Sequence, residues 1–402
     1  MNILFLTSTF PYGEKNSQAS FVQEQALTWA KKCPHDKIFI LAPYHKDALC
    51  QETIGPLRVF RYAYWFPSHY ASLAYPAILP NLKRNPWLIL QLPSFLACQL
   101  VSALRICTEH HIDLIYAHWV MPQGFIAWLI SHLKKVPFVL HNHSSDLRIF
   151  LKIPFIGRRI AAKILSAAQH ICCVNQTLKT EAARLCPEAT EKMNVLPMGV
   201  PLSLIENNDD IPETSYDLGF LGRLSSKKGV QHLLKTLQMI CTNSHRLRVG
   251  IAGDGELRQE LEHQAQTLNN VEIHFLGFLN NEDKKSFLQQ TRVMVFPSLE
   301  IQGDIEGLPV SLLESLVMGK QVIASRATNI TQLPEWESIQ EKIILLNNPE
   351  DHHEFAQALH QGLMNTTFSD ETLRHLMGRY LWPNLMDDYF TAFNITTNPK
   401  TP

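Results

Sequence analysis

Two glutamates, Glu306 and Glu314, lie on either side of a Gly-Leu-Pro sequence that follows an apolar, strand-like segment. Pro309 and Gly319 suit the start and the end of a short helix. Gly307 allows a close approach of the backbone to a ligand, and the first N–H groups of the helix favour an anion or a polar group. The pattern indicates a site for an extended ligand with many hydroxyls, such as a sugar nucleotide. The alternative is an ordinary helix with two solvated glutamates.

Histidines follow two predicted strands in the first half of the chain. His118 lies in the strand-like residues 113–119, and His141 and His143 follow the strand-like residues 137–140. An imidazole can donate or accept a hydrogen bond near neutral pH, which suits a ligand-contacting position at a strand end. His141 and His143 share one strand face and could form a metal pair, but no third ligand is evident and no metal is expected.

The elements that must position these residues alternate along the chain. Residues 3–6, 21–32 and 37–42 predict a strand, a helix and a strand. This order favours a parallel sheet with ligands at the carboxyl ends of its strands. A length of 402 residues predicts two domains, and the acidic, turn-rich residues 207–213 predict the boundary between them.

Composition excludes several classes of protein. A net charge of −1 argues against nucleic-acid binding, which needs a dominant basic surface. Eight cysteines without a C-x-x-C pair indicate reduced thiols rather than disulfides or a zinc site. The first residues lack the basic start of a signal peptide, and no unbroken apolar run is long enough to predict a membrane span. We therefore expect a cytoplasmic protein, either free or peripheral on the inner face of the plasma membrane.

Two motifs carry a family resemblance. One runs over residues 303–319, and the other is Gly-Arg-Leu followed by Lys-Gly within residues 222–229. With their flanking strands they resemble the donor-site signature of the retaining glycosyltransferases of family 4, which have the GT-B fold. The resemblance covers nearly the whole chain and is strongest over residues 216–325.

This resemblance implies an α/β protein with two Rossmann-like domains that face each other across a cleft. The N-terminal, acceptor-side domain is expected over residues 1–206, and the C-terminal, nucleotide-sugar donor-binding domain over residues 214–378. The C-terminal helix, residues 379–395, is expected to cross back to the first domain.

By resemblance, the donor diphosphate is expected to bind Arg223 and Lys228, with Gly13 approaching the phosphates from the loop after the first strand. The charges fit this role, because a diphosphate leaving group gains negative charge as its bond to the sugar breaks. Each cation can contribute roughly 1.5–3 kcal/mol without a metal. A solvated basic loop is the alternative. The nucleotide base is expected near Gly277 and Phe278.

The resemblance further implies that Glu314 holds the ribose, while Glu306 and the N–H groups of Gly307 and Leu308 hold the sugar. His143 is expected beside the anomeric centre. His143 and Glu306 are therefore the candidate catalytic residues.

The remaining residues implied by the resemblance are His118 and Asp146, which are expected to line the cleft. The chain departs from the family pattern at two places. Ser144 replaces the glycine of a His-Gly-x-Asp pattern, and a glycine pair is absent from residues 327–335. Either this second loop is remodelled for another substrate, or activity is reduced.

The implied function is a retaining, metal-independent transfer of a sugar to a glycan or polyprenyl-linked acceptor, in polysaccharide or glycolipid synthesis. The donor is a UDP- or GDP-linked sugar, and no cofactor beyond this co-substrate is expected. Departure and attack occur on the same face of the sugar, and the leaving phosphate takes the acceptor's proton. The alternatives are a non-catalytic nucleotide-sugar-binding protein and a GT-B isomerase or phosphorylase.

Residues 60–105 are rich in aromatic side chains and proline, with Lys83 and Arg84 among them. One interpretation is a long excursion of the core with a capping helix. The other is a lipid-facing surface for a polyprenyl-linked acceptor that includes Trp87 and Phe95, since aromatics mixed with basic side chains suit a membrane interface.

Overall fold

The computed structural model describes residues 1–12, 20–143, 147, 150, 156–206, 215–240, 246–301, 306–364 and 370–395. Contacts divide the chain into two compact units. The first contains residues 1–197 and 385–402, and the second contains residues 198–384.

The first unit contains one sheet, whose order over the described residues is β3-β4-β2-β1-β5-β6-β7-β8. All neighbours in it are parallel except β3 and β4, which are antiparallel. Its strands are β1 Asn2–Leu6, β2 Lys37–Pro43, β3 Gln51–Ile54, β4 Leu57–Tyr62, β5 Leu114–His118, β6 Phe138–Asn142, β7 His170–Cys173 and β8 Met193–Val195. Its helices are Ser20–Lys32, Ile78–Arg84, Leu92–Glu109, Phe125–Lys134, Gly157–Ala167 and Gln176–Leu185.

The centre of this sheet is apolar on both faces, as expected for parallel strands covered by helices. β5 and β6 are buried along their whole lengths. Phe5 on β1 stacks on Tyr116 on β5, with ring centroids 4.9 Å apart. In the register of β5 and β6, His118 lies opposite His141. The carboxyl ends of these strands therefore bring the predicted histidines to one edge of the sheet.

The helix Leu92–Glu109 continues from a short helical turn, Pro86–Gln91. The expectation that Phe95 faces lipid is wrong, because Phe95 is fully buried, in ring contact with Tyr64 at 5.1 Å. Trp87 is exposed. Residues 86–109 are long and apolar enough to cross a membrane by length and composition alone. Polar residues are scattered along this segment, so no unbroken apolar run marks it in the sequence.

The second unit contains a parallel sheet, with the order β11-β10-β9-β12-β13-β14 over the described residues. Its strands are β9 Tyr216–Leu221, β10 Leu247–Ala252, β11 Val271–Gly277, β12 Thr291–Phe296, β13 Gln321–Ser325 and β14 Ile343–Leu346. Its helices are Val230–Ile240, Arg258–Ala265, Asn281–Gln290, Val310–Val317, Trp336–Ile339, His352–Met364 and Glu371–Met377, and the helix Trp382–Ala392 begins in this unit.

The division between the units differs from the predicted boundaries at 206 and 379. Residues 198–206 belong to the second unit. The Val200 N–H donates to the Tyr380 carbonyl at 2.8 Å, and the Trp382 N–H donates to the Val200 carbonyl at 2.9 Å. These two hydrogen bonds join Val200 to Tyr380 and Trp382, near the end of the second unit. No sequence pattern indicates this pairing.

Residues 385–395 cluster with the first unit. The Tyr389 hydroxyl donates to the Pro197 carbonyl at 2.9 Å. Phe390 meets Trp29 edge to face at 5.0 Å. These contacts attach the end of the last helix to the sheet-covering helix Ser20–Lys32.

Candidate functional site

An ion pair joins two predicted donor-site residues of the second unit. The Lys228 Nζ lies 3.1 Å from the Glu306 Oε2, and both side chains are largely buried. Lys228 ends a short helical turn after β9, and Glu306 lies in the loop between β12 and the helix Val310–Val317. Lys228, which is predicted to bind the diphosphate, and Glu306, which is predicted to bind the sugar, thus lie side by side.

Gly229 fixes the position of Lys228. It has φ +74°, and a Cβ there would lie 1.8 Å from the Pro297 carbonyl oxygen. The Leu299 N–H donates to the Lys227 carbonyl at 2.7 Å. The lysine turn is therefore held against the chain that leaves β12, and a side chain at this position would force them apart.

The Gly-Asp-Gly sequence after β10 packs against the loop that contains Arg223. Gly253 has φ +134°, and a Cβ there would lie 1.8 Å from the Gly222 carbonyl oxygen. The Leu224 N–H donates to the Asp254 carbonyl at 2.9 Å. These contacts give the Gly-Asp-Gly sequence a structural role in holding the loop that contains Arg223.

Arg223 lies on this loop and pairs with Glu256 at 3.2 Å. Its side chain is one third exposed and that of Glu256 is half exposed. Solvent screens such a pair, so the guanidinium can exchange this carboxylate for another anion at small cost.

Asn329 holds the Glu306 loop and was missed by sequence reasoning. Its Nδ2 donates to the carbonyl oxygens of Glu306 at 2.6 Å and of Gly307 at 3.2 Å. Gln332 donates to the Asn329 Oδ1 at 2.8 Å. Asn329 has φ +59° and is nearly buried. The run that lacks the family's glycine pair therefore carries a side chain that fixes the backbone beside Leu308.

Glu314 lies inside the helix Val310–Val317 and is nearly buried. Lys284, from the helix Asn281–Gln290, places its Nζ 2.5 Å from the Glu314 Oε1. A buried carboxylate needs a partner to offset its loss of hydration, and Lys284 provides that partner and orients the Glu314 side chain. Thirty positions separate the two residues in sequence, and no local pattern links them.

The predicted base-binding region lies at the end of β11. The Gly277 carbonyl accepts from the Gly253 N–H at 2.7 Å. Phe278 is 48% exposed, so its ring can stack on a planar ligand.

Three histidines of the first unit form a stack. The His118 Nδ1 and the His143 Nε2 are 2.9 Å apart, and the Tyr116 hydroxyl lies 3.0 Å from the His141 Nδ1. The rings of His141 and His143 are stacked with centroids 4.1 Å apart. Gly13 and Asp146, which were also assigned to this half of the site, lie outside the described residues.

Burial keeps these imidazoles neutral. It lowers the pKa of His141 to about 3, and it holds the pKa values of His118 and His143 well below the usual value, with His141 adding to both shifts. A neutral ring donates through one nitrogen and accepts through the other. The His118–His143 contact is therefore one hydrogen bond between a donor and an acceptor ring.

The structure supplies the third metal-ligand candidate that the sequence did not reveal, since one ring nitrogen from each of His118, His141 and His143 lies within 4.8 Å of the others. The ring planes are nearly parallel, however, with 12° between His118 and His143 and 20° between His141 and His143. The His118 Nδ1 and the His143 Nε2 already form a hydrogen bond to each other at 2.9 Å, so these two nitrogens face one another rather than a shared ion. The stack is better suited to hydrogen bonding than to metal binding.

Two compact units, each built on a mainly parallel sheet covered by helices, define an α/β architecture with two Rossmann-like units. Over residues 204–376 the chain matches the model of the glycosyl transferases group 1, and over residues 47–204 it matches that of glycosyltransferase family 4. The chain belongs to this glycosyltransferase family.

Several curated relatives are similar over part or most of their length. TuaC of Bacillus subtilis, a glycosyltransferase assigned to teichuronic acid biosynthesis, is 22% identical over 83% of this chain and 83% of its own. The D-rhamnosyltransferase WbpZ of Pseudomonas aeruginosa is 32% identical over 53% of this chain and 55% of its own. The UDP-Gal:alpha-D-GlcNAc-diphosphoundecaprenol alpha-1,3-galactosyltransferase of Escherichia coli is 25% identical over 61% of this chain and 65% of its own.

Solved structures with the same fold include sucrose-phosphate synthase from Thermosynechococcus elongatus, with a TM-score of 0.71 and 16% identity over 98% of both chains. Anabaena HepE in complex with UDP-glucose has a TM-score of 0.67 and 17% identity over 98% of this chain and 100% of its own. The fold of the chain is GT-B, as the sequence predicted.

Proposed function

We propose that the chain transfers a sugar from a UDP- or GDP-linked donor to a glycan or polyprenyl-linked acceptor, with retention of configuration and without a metal. The observation that carries the proposal is the Lys228–Glu306 pair at 3.1 Å, on a loop fixed by Asn329. The pair supports the proposal because an ammonium group can bind a diphosphate and the neighbouring carboxylate can accept hydrogen bonds from sugar hydroxyls.

The proposed reaction breaks the bond between the anomeric carbon and the diphosphate oxygen. The bonding electrons go to that oxygen, where Lys228 and Arg223 stabilise the charge. The acceptor hydroxyl forms its bond to the anomeric carbon on the same face, and its proton goes to the departing phosphate oxygen. Glu306 holds the sugar, and the neutral His143 holds a hydroxyl near the anomeric centre.

The proposed assignment of the donor rests on charge and on the relatives. HepE, a protein of the same fold, binds UDP-glucose in its solved complex. The E. coli relative is named for a UDP-linked galactose and a diphosphoundecaprenol-linked acceptor. Both support a nucleoside-diphosphate sugar as donor, and the second supports a lipid-linked acceptor.

The first test is thermal stabilisation by UDP, GDP and ADP, with the matching monophosphates as controls. We expect one diphosphate to raise the melting temperature by several degrees, because a ligand at about 100 times its Kd stabilises the folded state by roughly 2.7 kcal/mol. The monophosphate should stabilise less. Equal shifts from mono- and diphosphates would contradict the role of Lys228.

The second test incubates the chosen nucleotide sugar with a lipid-diphosphate-linked sugar acceptor and follows release of the nucleoside diphosphate. We expect release that depends on the acceptor. Conversion without acceptor would indicate an isomerase or hydrolase, and consumption of donor with inorganic phosphate would indicate a phosphorylase. Binding without any turnover would indicate a non-catalytic binding protein.

A further inference from the structure

The helical segment of residues 86–109 packs against the first unit along only part of its surface. It is long and apolar enough to cross a membrane, yet only 22% of its apolar window is buried inside the protein. Apolar side chains that the fold does not cover need another apolar environment.

Two faces of this segment have different surroundings. Phe95, Gln99 and Ala103 lie at helical spacing, are buried, and attach one face to the unit. Leu90 and Val101 lie on another face and are 61% and 66% exposed. A helix with one face fixed to a folded unit cannot be surrounded by lipid, so the segment is suited to lie along a membrane surface rather than to span it.

Neighbouring segments extend the exposed apolar surface. The Gln91 side chain donates to the Tyr70 carbonyl at 2.8 Å, which places Tyr70 beside the start of the segment. Tyr70 is 61% exposed and Trp87 is 78% exposed. Tyrosine and tryptophan are the side chains that settle at the boundary between lipid and water.

Charge identifies the kind of surface that this region fits. The chain contains no Asp or Glu between Glu52 and Glu109. Lys83 and Arg84 are exposed at the end of the helix Ile78–Arg84, which precedes Trp87. Basic side chains beside an apolar surface are attracted to anionic lipid headgroups. A second copy docked through the same face would bring these cations against each other, which disfavours a symmetric dimer.

We propose that the surface formed by Tyr70, Trp87, Leu90 and Val101, here called the lipid face, docks the first unit onto a bilayer that contains anionic phospholipid. The aromatic and aliphatic side chains enter the headgroup boundary, and Lys83 and Arg84 meet the phosphates. The docked protein is then a peripheral membrane protein that contacts the bilayer through one face of this helical segment.

The proposal is tested by co-sedimentation of the full chain with vesicles of phosphatidylethanolamine and phosphatidylglycerol, and with vesicles of phosphatidylcholine alone. We expect binding to the anionic vesicles to be at least about tenfold tighter, because each basic residue near the surface favours anionic lipid by about fivefold. The double variant Trp87→Ser/Leu90→Ser should bind anionic vesicles at least about tenfold more weakly. Met364→Ser, an equally exposed apolar residue of the second unit, should bind like the parent.

A second variant separates charge from apolar burial. Lys83→Gln/Arg84→Gln should lose most of the preference for anionic vesicles while keeping its melting temperature, since both residues are exposed. The proposal is overturned if the parent binds neither vesicle, or if Trp87→Ser/Leu90→Ser binds as tightly as the parent. It is also overturned if the parent is a dimer in solution that this variant converts to a monomer, because a second copy then covers the face. These readouts need no enzyme activity and stand apart from the proposed transfer reaction.

Discussion

The Lys228 ammonium lies 3.1 Å from the Glu306 carboxylate, and the side chains are only 18% and 14% exposed. The two opposite charges offset each other. Under the proposed function, a diphosphate would draw Lys228 away from Glu306, and the sugar would supply hydroxyls to the carboxylate that is released. This exchange would couple binding of the diphosphate to binding of the sugar.

Glu306→Gln should separate binding of the diphosphate from binding of the sugar. The change removes the anion that competes with phosphate for Lys228, so affinity for the bare nucleoside diphosphate should stay equal or rise up to about tenfold. Transfer should fall by at least about 100-fold, because the sugar loses its carboxylate. Calorimetric titration and a transfer assay measure the two effects. A large loss of diphosphate affinity would contradict the competition.

Arg223→Ala should weaken diphosphate binding by about tenfold or more and reduce transfer, since a charge-assisted contact to phosphate contributes roughly 1.5–3 kcal/mol. The control is Arg246→Ala, an exposed arginine of the same unit that also has an acidic neighbour, Glu272. That variant should bind the diphosphate like the parent. Equal losses in both variants would point to general charge rather than to a specific contact.

Lys284 and Glu314 should show strong energetic coupling. Lys284→Met or Glu314→Gln alone leaves a buried charge without its partner, which costs about 3–5 kcal/mol of unfolding free energy. The double variant should lose much less than the sum of the two. Urea unfolding of the four proteins measures the coupling. Additive losses would mean that the pair does not hold Glu314.

Asn329→Gly should keep the backbone conformation, since glycine adopts φ +59° readily, but remove the two side-chain hydrogen bonds to the Glu306 loop. We expect weaker donor binding, seen as a higher KM, with a smaller change in kcat. The matched control is Asn394→Gly, at φ +53° and exposed. An unchanged KM in Asn329→Gly would show that Asn329 does not support donor binding.

Stability should fall as the pH drops below about 6.5. Burial holds the pKa of His141 at about 3, against roughly 6.5 in an unfolded chain, so between these values the unfolded state binds more protons. Each stacked imidazole can add up to about 1.4 kcal/mol per pH unit to the slope. Urea midpoints at pH 7.5, 6.5 and 5.5 measure this slope.

Two variants assign the slope to the stack. His141→Phe keeps a flat ring beside His143 and should reduce the slope, whereas His353→Gln, at an exposed helix start, should leave it unchanged. Equal urea midpoints of the parent at pH 7.5 and 5.5 would contradict the neutral stack.

Sequence reasoning predicted the elements and the fold because their signals are local. Apolar runs such as 293–296 are buried strands, and the residues around Pro309 and Gly319 do bound a helix over Val310–Val317. The GT-B fold was implied by the resemblance of two motifs to a known family, and this prediction is confirmed.

The partners of the candidate site could not be predicted in the same way. Lys284 reaches Glu314 from another helix, and Asn329 reaches Glu306 from beyond β13. His118 joins His143 only because β5 and β6 are neighbours in the sheet. Phe95 and Trp87 are both aromatic residues of one apolar segment, so the sequence does not distinguish their surroundings. Only the packing of the helix shows that Phe95 lies in the core and that Trp87 is exposed. These relations depend on tertiary packing, which carries no local periodicity.

Gly229 and Gly253 limit how this family member can diverge. Each has a carbonyl oxygen 1.8 Å from the position of a Cβ, so the backbone that supports the loops of Arg223 and Lys228 excludes any larger residue at these two positions. Arg223, Lys228 and Phe278 project from that backbone as side chains. Relatives that use another donor are thus expected to differ at these three side chains and to keep both glycines. A mutant library that aims to change the donor should therefore randomise the three side chains and leave Gly229 and Gly253 unchanged.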